Sequence, residues 1–211
     1  MKIAVITANI GGFDHFNAIP KQSIDFDFFY YTEANLPFPM HTQDNRMKAK
    51  VMKICPHWAL PQYDVYIWKD ANILVKSPSF LADILANLKE VSISDHPFRK
   101  TIYEEADYIC SEIKKRNGYL SSRYSIESIR KEIESIGPNI QGLFWCGLFA
   151  RVNDSLINKC FERWFTDNVL YSNFDQLSFS KMVQECFVKV GKFDFGNFYK
   201  NDHYELTKHL R

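Results

Sequence analysis

Asp70 and Asn72 stand two residues apart, just past the apolar run Tyr66-Ile67-Trp68 and Lys69. If the backbone stays extended through them, both side chains point to the same side. A carboxylate and a carboxamide are hard oxygen donors. Mn²⁺ and Mg²⁺ favour such ligands, few in number, with the phosphates of a substrate completing the shell. The same two residues also build plain turns well, through hydrogen bonds to their own backbone.

Other chemistry-bearing residues fall near the ends of apolar runs. Asn9-Ile10-Gly11-Gly12 follows the first run. It lacks a complete G-x-G-x-x-G and the Gly-Lys-Ser/Thr of a P-loop. A loop against which a nucleotide lies, with Asn9 and Gly11 in contact, is one reading, and a tight turn is the other. Arg46, Lys48, Lys50 and Lys53 have helical spacing and form a basic face. Such a face is usually solvated, but Arg46 and Lys50 could neutralise a diphosphate. In Ser94-Asp95-His96-Pro97-Phe98-Arg99, His96 is a candidate acid–base group and Arg99 a bidentate anion clamp. Glu104 and Glu105 follow, either as functional carboxylates or as acids in the first turn of a helix. Asp175, in Asn173-Phe174-Asp175-Gln176, is also a good helix N-cap. His203 and His209 in the tail are late candidate metal ligands.

These residues need elements to position them. The apolar, β-branched run 2–8 predicts a buried strand, and further strands are expected at 26–32, 63–69, 91–94, 143–152 and 187–190. Helices are expected at 46–54, ended by Pro56, and from Ser77-Pro78 through Leu88. More follow at 101–117, 122–136, 154–168 with Asp154 as N-cap, and 175–187. The tail after Lys192 has no clear period. Strands alternating with helices predict one α/β domain over residues 1–211, with a mostly parallel central sheet flanked by helices. In such sheets ligands bind at the carboxyl ends of strands.

The chain has 211 residues, 26 basic and 25 acidic, with a net charge of +1. It has no long Lys/Arg tract, so a nucleic-acid partner has no electrostatic footprint. No window offers the ~18 apolar residues that span a bilayer. The N-terminal run stops at Asn9, short of a signal peptide. The chain reads as cytoplasmic, or as a soluble domain excised from something larger. The five cysteines, Cys55, Cys110, Cys146, Cys160 and Cys186, have no C-x-x-C spacing and read as reduced structural thiols.

Taken in order, several segments carry a resemblance. They are His57, Tyr66-Ile67-Trp68-Lys69-Asp70-Ala71-Asn72-Ile73, His96-Pro97-x-Arg99, Tyr103-Glu104-Glu105-Ala106 and Asp175-Gln176-x-Ser178-Phe179. This order resembles the glycosyltransferase-like family of TOD-type and mucilage-related proteins, over roughly residues 1–187. The resemblance implies a GT-A type, Rossmann-like nucleotide-sugar transferase with a metal-binding D-x-D motif at a strand end. Here that motif is Asp70-Ala71-Asn72, with a neutral Asn in the last place. It implies a divalent metal, Mn²⁺ or Mg²⁺, held by Asp70 and Asn72, with His203 as a further candidate ligand. It implies a nucleotide-sugar donor, contacted by Asn9, Gly11, Arg46, Lys50, Asp70, His96 and Arg99, and a glycan or other small acceptor. Asp175 is the first candidate for the catalytic base and Glu104 the second. The alternatives are a nucleotidyltransferase and a catalytically inactive nucleotide-sugar-binding module.

Overall fold

A computed structural model describes residues 1–40, 42, 44–116 and 118–210. The centre is a six-stranded sheet in the order β2-β1-β3-β6-β5-β7. The strands are β1 (Ile3–Ala8), β2 (Asp27–Tyr31), β3 (Val65–Lys69), β5 (Val91–Asp95), β6 (Phe144–Val152) and β7 (Val190–Lys192). Strand β1 runs parallel to β2 and β3, and β5 parallel to β7, while β6 is antiparallel to both neighbours. The sheet is therefore mostly parallel, as the alternation of elements predicts.

Both faces are covered, which is why the central strands read as continuous apolar runs. Ala4, Ile6, Tyr66 and Trp68 face one core, and Ile3, Val5, Val65 and Ile67 the other. The first core is closed by α1 (Asn45–Ile54), α6 (Ser155–Leu170) and α7 (Asp175–Glu185), which contribute Met52, Trp164 and Phe179. The second is closed by α2 (Phe80–Leu85) and by Phe193 and Tyr204 from the tail. A third cluster joins α3 (Ile102–Lys114), α5 (Ile126–Ile136) and Leu177. A short helix, α4 (Gly118–Ser121), lies between α3 and α5. Among the described residues no helix is long and apolar enough to cross a membrane, and all five cysteines are free.

Several boundaries differ from expectation for local reasons. The strand expected at 187–190 sits later, at Val190–Lys192. Phe187 takes φ 54° and is 88% exposed, so the chain turns there after α7. Gly191 then lets β7 lie against the backbone of Asn87, where any Cβ would collide with the Asn87 carbonyl. The Ser77-Pro78 start is replaced by a turn in which Ser77 Oγ accepts from Ser79 N (3.1 Å), and α2 begins at Phe80. Helix α5 begins at Ile126, because Ser125 Oγ accepts from Ser128 N and caps it there. Asn117, the last residue of the helix expected at 101–117, lies outside the described residues. The tail holds β8 (Tyr204–Leu206), antiparallel to β4 (Ile73–Val75) in a separate two-stranded sheet. Three-residue strands carry too little period to be seen in sequence.

Candidate active site

The carboxyl ends of the parallel neighbours β1 and β3 lie side by side, with Ile6 opposite Trp68. Beyond them opens a cleft of about 320 Å³. Its walls come from the loop after β1, from α1, from the turn after β3 and from the start of α7.

The turn after β3 is tightly held. The Asp70 N–H donates to Gly147 O (2.9 Å), and Ile73 N–H donates to Asp70 O (3.1 Å). Lys69 is fully buried, and its Nζ donates to Ile73 O at 2.8 Å. Burial pushes this ammonium down to about 8, against the pull of Asp70 and Asp14. The Asp70 Oδ1 accepts from Trp68 Nε1 at 2.6 Å.

Asp70 faces two lysines of α1 together with Asp175. Lys53 Nζ is 3.8 Å from Asp70 Oδ1 and 2.5 Å from Asp175 Oδ2, and Lys50 Nζ is 3.0 Å from Asp175 Oδ2. Burial alone would raise the Asp175 pKa. The two ammonium groups outweigh it and hold the carboxyl well below the usual carboxylate range. Asp70 moves the other way: burial pushes its pKa up, and Lys53 only partly offsets that. Asp175 is the first residue of α7, but the N-cap is Phe174, so its carboxylate serves the ion pairs and leaves the helix end uncapped.

The remaining walls are built from loops. Asn9 lines the cleft and organises the loop after β1: its Oδ1 accepts from Phe13 N (2.9 Å) and Asp14 N (3.2 Å), and its Nδ2 donates to Tyr30 OH (2.8 Å). Gly11 shapes that loop without lining the cleft. It has φ 92°, and a Cβ there would come within 2.8 Å of the Phe13 ring. Arg46 lines the cleft, pairs with Asp44 (3.2 Å) and lies over the Tyr124 ring (5.2 Å). The tail crosses the opposite side. Thr207 N–H donates to Asn72 O (2.8 Å), Leu210 N–H to Phe13 O (2.7 Å), and His209 Nδ1 is 2.6 Å from Asp14 Oδ1. Asp14, His209, Arg123 and Lys53 thus belong to the cleft as well. Of these, Lys53 was legible as part of the basic face and His209 as a tail histidine. No spacing signal marks Asp14 or Arg123.

Four cations line the cleft, Arg46, Lys50, Lys53 and Arg123, against three carboxylates, Asp14, Asp70 and Asp175. Counting these side chains alone, the excess of one positive charge favours an anionic ligand.

Four sequence candidates lie elsewhere. Glu104 completes a capping box with Thr101 at the start of α3 and is fully exposed. His96 and Arg99 pack beside Glu105: Arg99 Nε pairs with Glu105, its guanidinium lies 4.0 Å from the Tyr108 ring, and His96 Nδ1 accepts from Arg99 N (3.1 Å). Burial, aided by Arg99, pulls His96 down to about 4, so it is neutral at pH 7. His203 stacks on Phe195 (4.3 Å), with its Nδ1 3.5 Å from Asp83 Oδ2. None of the four lines the cleft.

Asp70 and Asn72 both line it, and the Asn72 carboxamide has no hydrogen-bond partner among the described residues. Among those residues no group of three or more His, Cys, Asp and Glu side chains is arranged to hold a metal ion. Two oxygen donors with open positions suit Mg²⁺ or Mn²⁺ that arrives with a diphosphate, since such ions use few protein ligands.

No family model matches this chain, and no curated protein does. Among solved structures, the chain is similar to a glycosyltransferase involved in the glycosylation of the major capsid of PBCV-1. The identity is 9%, with 91% of this chain and 81% of that chain covered and a TM-score of 0.47. It is similar to the bifunctional glycosyltransferase WbbM in its apo form, at 12% identity and a TM-score of 0.48, covering 92% of this chain but only 38% of that one. It is also similar to mouse xyloside xylosyltransferase 1 in its apo form, at 9% identity and a TM-score of 0.45, with 92% and 86% covered.

Proposed function

We propose that the chain transfers a glycosyl group from a nucleoside-diphosphate sugar to a hydroxyl acceptor. The supporting observation is the buried Lys50–Lys53–Asp175 cluster facing Asp70 at the carboxyl ends of β1 and β3. It gathers buried positive charge in a concave site where a diphosphate can lie.

In the reaction the bond between the anomeric carbon and the diphosphate oxygen breaks, and the diphosphate leaves with the electron pair. A new bond forms from the anomeric carbon to the acceptor oxygen, whose proton passes to a base. Lys50 and Lys53 stabilise the negative charge that develops on the diphosphate. Asp70 and Asn72 are the residues that would hold a divalent ion, which would supply further neutralisation of that charge. Asp175 is the proton acceptor. Paired with two ammonium groups it is a weak base. As the diphosphate draws those ammonium groups away, the carboxylate loses the charges that hold its pKa down, and its basicity rises.

The test is release of nucleoside diphosphate from a panel of UDP-, GDP- and ADP-sugars with Mn²⁺ present. Loss of release in Asp70→Ala, with an unchanged thermal midpoint, supports glycosyl transfer. Pyrophosphate release from nucleoside triphosphates would instead make the chain a nucleotidyltransferase. Nucleotide-sugar binding without any release across acceptors would make it a binding module.

A further inference from the structure

Of the four tryptophans, three spend their indole N–H within the protein: Trp58 on Glu162 Oε1 (2.9 Å), Trp68 on Asp70 Oδ1 (2.6 Å) and Trp164 on Asp175 O (3.0 Å). Trp145 differs. It is only 9% exposed and lines the cleft, yet its Nε1 has no acceptor among the described residues. The Nε1 is not among the polar atoms sealed off from solvent, so water reaches it from the cleft, and a ligand oxygen can take that water's place.

The position of this ring is built. Its Nε1 and Cε2 lie 2.6 Å from where a Cβ of Gly147 would stand, so only glycine lets the indole lie across the strand there. Phe198 meets the ring edge-on at 4.8 Å, and Tyr204 packs against it at 5.9 Å. Gly147 also accepts the backbone N–H of Asp70, which puts this shelf directly beside the carboxylate. The cleft is thereby divided. Cations come from α1 and from Arg123, whereas the shelf of Trp145, Gly147 and Ala71 carries no charge.

We infer that Trp145, laid across Gly147, forms a subsite for a pyranose ring, with the Trp145 Nε1–H donating to a ring hydroxyl. The inference rests on the glycosyl-transfer reading and adds where in the cleft a sugar lies. With Gly147 beneath the indole and Phe198 and Tyr204 packed on it, the ring presents its N–H edge to the cleft, and an N–H donor in an uncharged corner suits the hydroxyls of a neutral ring. A diphosphate goes to the basic wall. The sugar can be the one carried by the donor or one carried by the acceptor, and both present the same chemistry to the shelf.

The test uses the full chain with its indole N–H resonances assigned through bonds. UDP, GDP, the corresponding nucleotide sugars and methyl pyranosides are titrated separately. The Trp145 resonance is expected to move with sugars and to stay in place with UDP or GDP alone. Movement only with nucleotide sugars assigns the subsite to the donor, and movement with methyl pyranosides assigns it to the acceptor. Trp145→Phe and Gly147→Ala are expected to weaken sugar binding about tenfold, on the scale of one lost hydrogen bond. Trp145→Phe, which leaves the Gly147–Asp70 backbone contact in place, should keep UDP or GDP affinity within about twofold. Nucleoside diphosphate binding with no sugar-dependent shift at Trp145 would overturn the subsite and leave glycosyl transfer standing. Methyl pyranosides shifting Trp145 while no nucleotide binds would keep the subsite and remove the transfer reading. No shift with any sugar and no nucleotide binding would overturn both.

Discussion

Lys53 Nζ stands 2.5 Å from Asp175 Oδ2, with 8% and 14% of the two side chains exposed. The contact ties α1 to the first residue of α7 across the floor of the cleft. Asp175 also holds Lys50, so one carboxylate compensates two ammonium groups in a poorly solvated place.

Replacing Asp175 by Asn leaves those two ammonium groups without their shared counter-charge. Removing one partner of a buried pair costs about 3–5 kcal/mol, and urea denaturation at pH 7 should show a loss of that order. The sign of the pH effect follows from the depressed carboxyl. Its stabilisation is present above the unfolded value of about 4 and fades as pH falls below it. Asp175→Asn should therefore flatten the acid limb of the stability curve.

Glu132 should act in the opposite sense. It is 1% exposed, and its Oε2 accepts from Ser172 N (3.2 Å) and from Ser172 Oγ. Burial pushes it up to about 7, against the pull of the Ser172 and Ser178 hydroxyls and Lys50. The unfolded chain ionises this group near 4.3, so stability should fall between about pH 4.3 and pH 7 and level off above. Glu132→Gln keeps the shape and loses the ionisation, and its stability curve should lack that fall.

The capping box of α3 separates a structural carboxylate from a functional one. Thr101→Ala should cost about 1 kcal/mol, typical of a lost N-cap. Neither it nor Glu104→Ala should change nucleotide affinity in calorimetry. A loss of binding in Glu104→Ala would place that residue back in the site.

The tail should loosen as pH rises. Hydrogen bonding to Asp14 raises His209 above its ordinary value, against the effect of burial. The charged pair therefore helps docking below about pH 6.5, the unfolded value, and its contribution is lost as pH rises through the higher folded value. Hydrogen-exchange protection of the Thr207 and Leu210 amides should fall over that range. His209→Ala should remove the dependence.

Much of this architecture is legible in sequence because β1 and β3 are buried on both faces and carry unbroken apolar runs. Asp70 and Asn72 are placed by the strand before them, and Lys50 and Lys53 by helical spacing, so all four are readable. What is not readable comes from long-range packing. Nothing local tells Asp175 as a helix cap from Asp175 as a lysine partner, because Lys50 and Lys53 lie more than 120 residues away. The polar cluster at His96 and Arg99 looks chemical in sequence. Its partners turn out to be Glu105 and Tyr108, which close a structural knot. His203 and His209 are alike as tail histidines, and only the pairing of β8 with β4 sends one to Phe195 and the other to the cleft.

The place of β6 between β3 and β5 has a consequence during synthesis. Residues 144–152 leave the ribosome after both strands that they join, so until then β3 has an open edge and β5 lacks its antiparallel neighbour. Open strand edges are templates for wrong pairing, and long-range pairings form slowly. A nascent chain halted before residue 144 should thus be held by chaperones or aggregate. Release past residue 152 should let the two halves of the sheet close together.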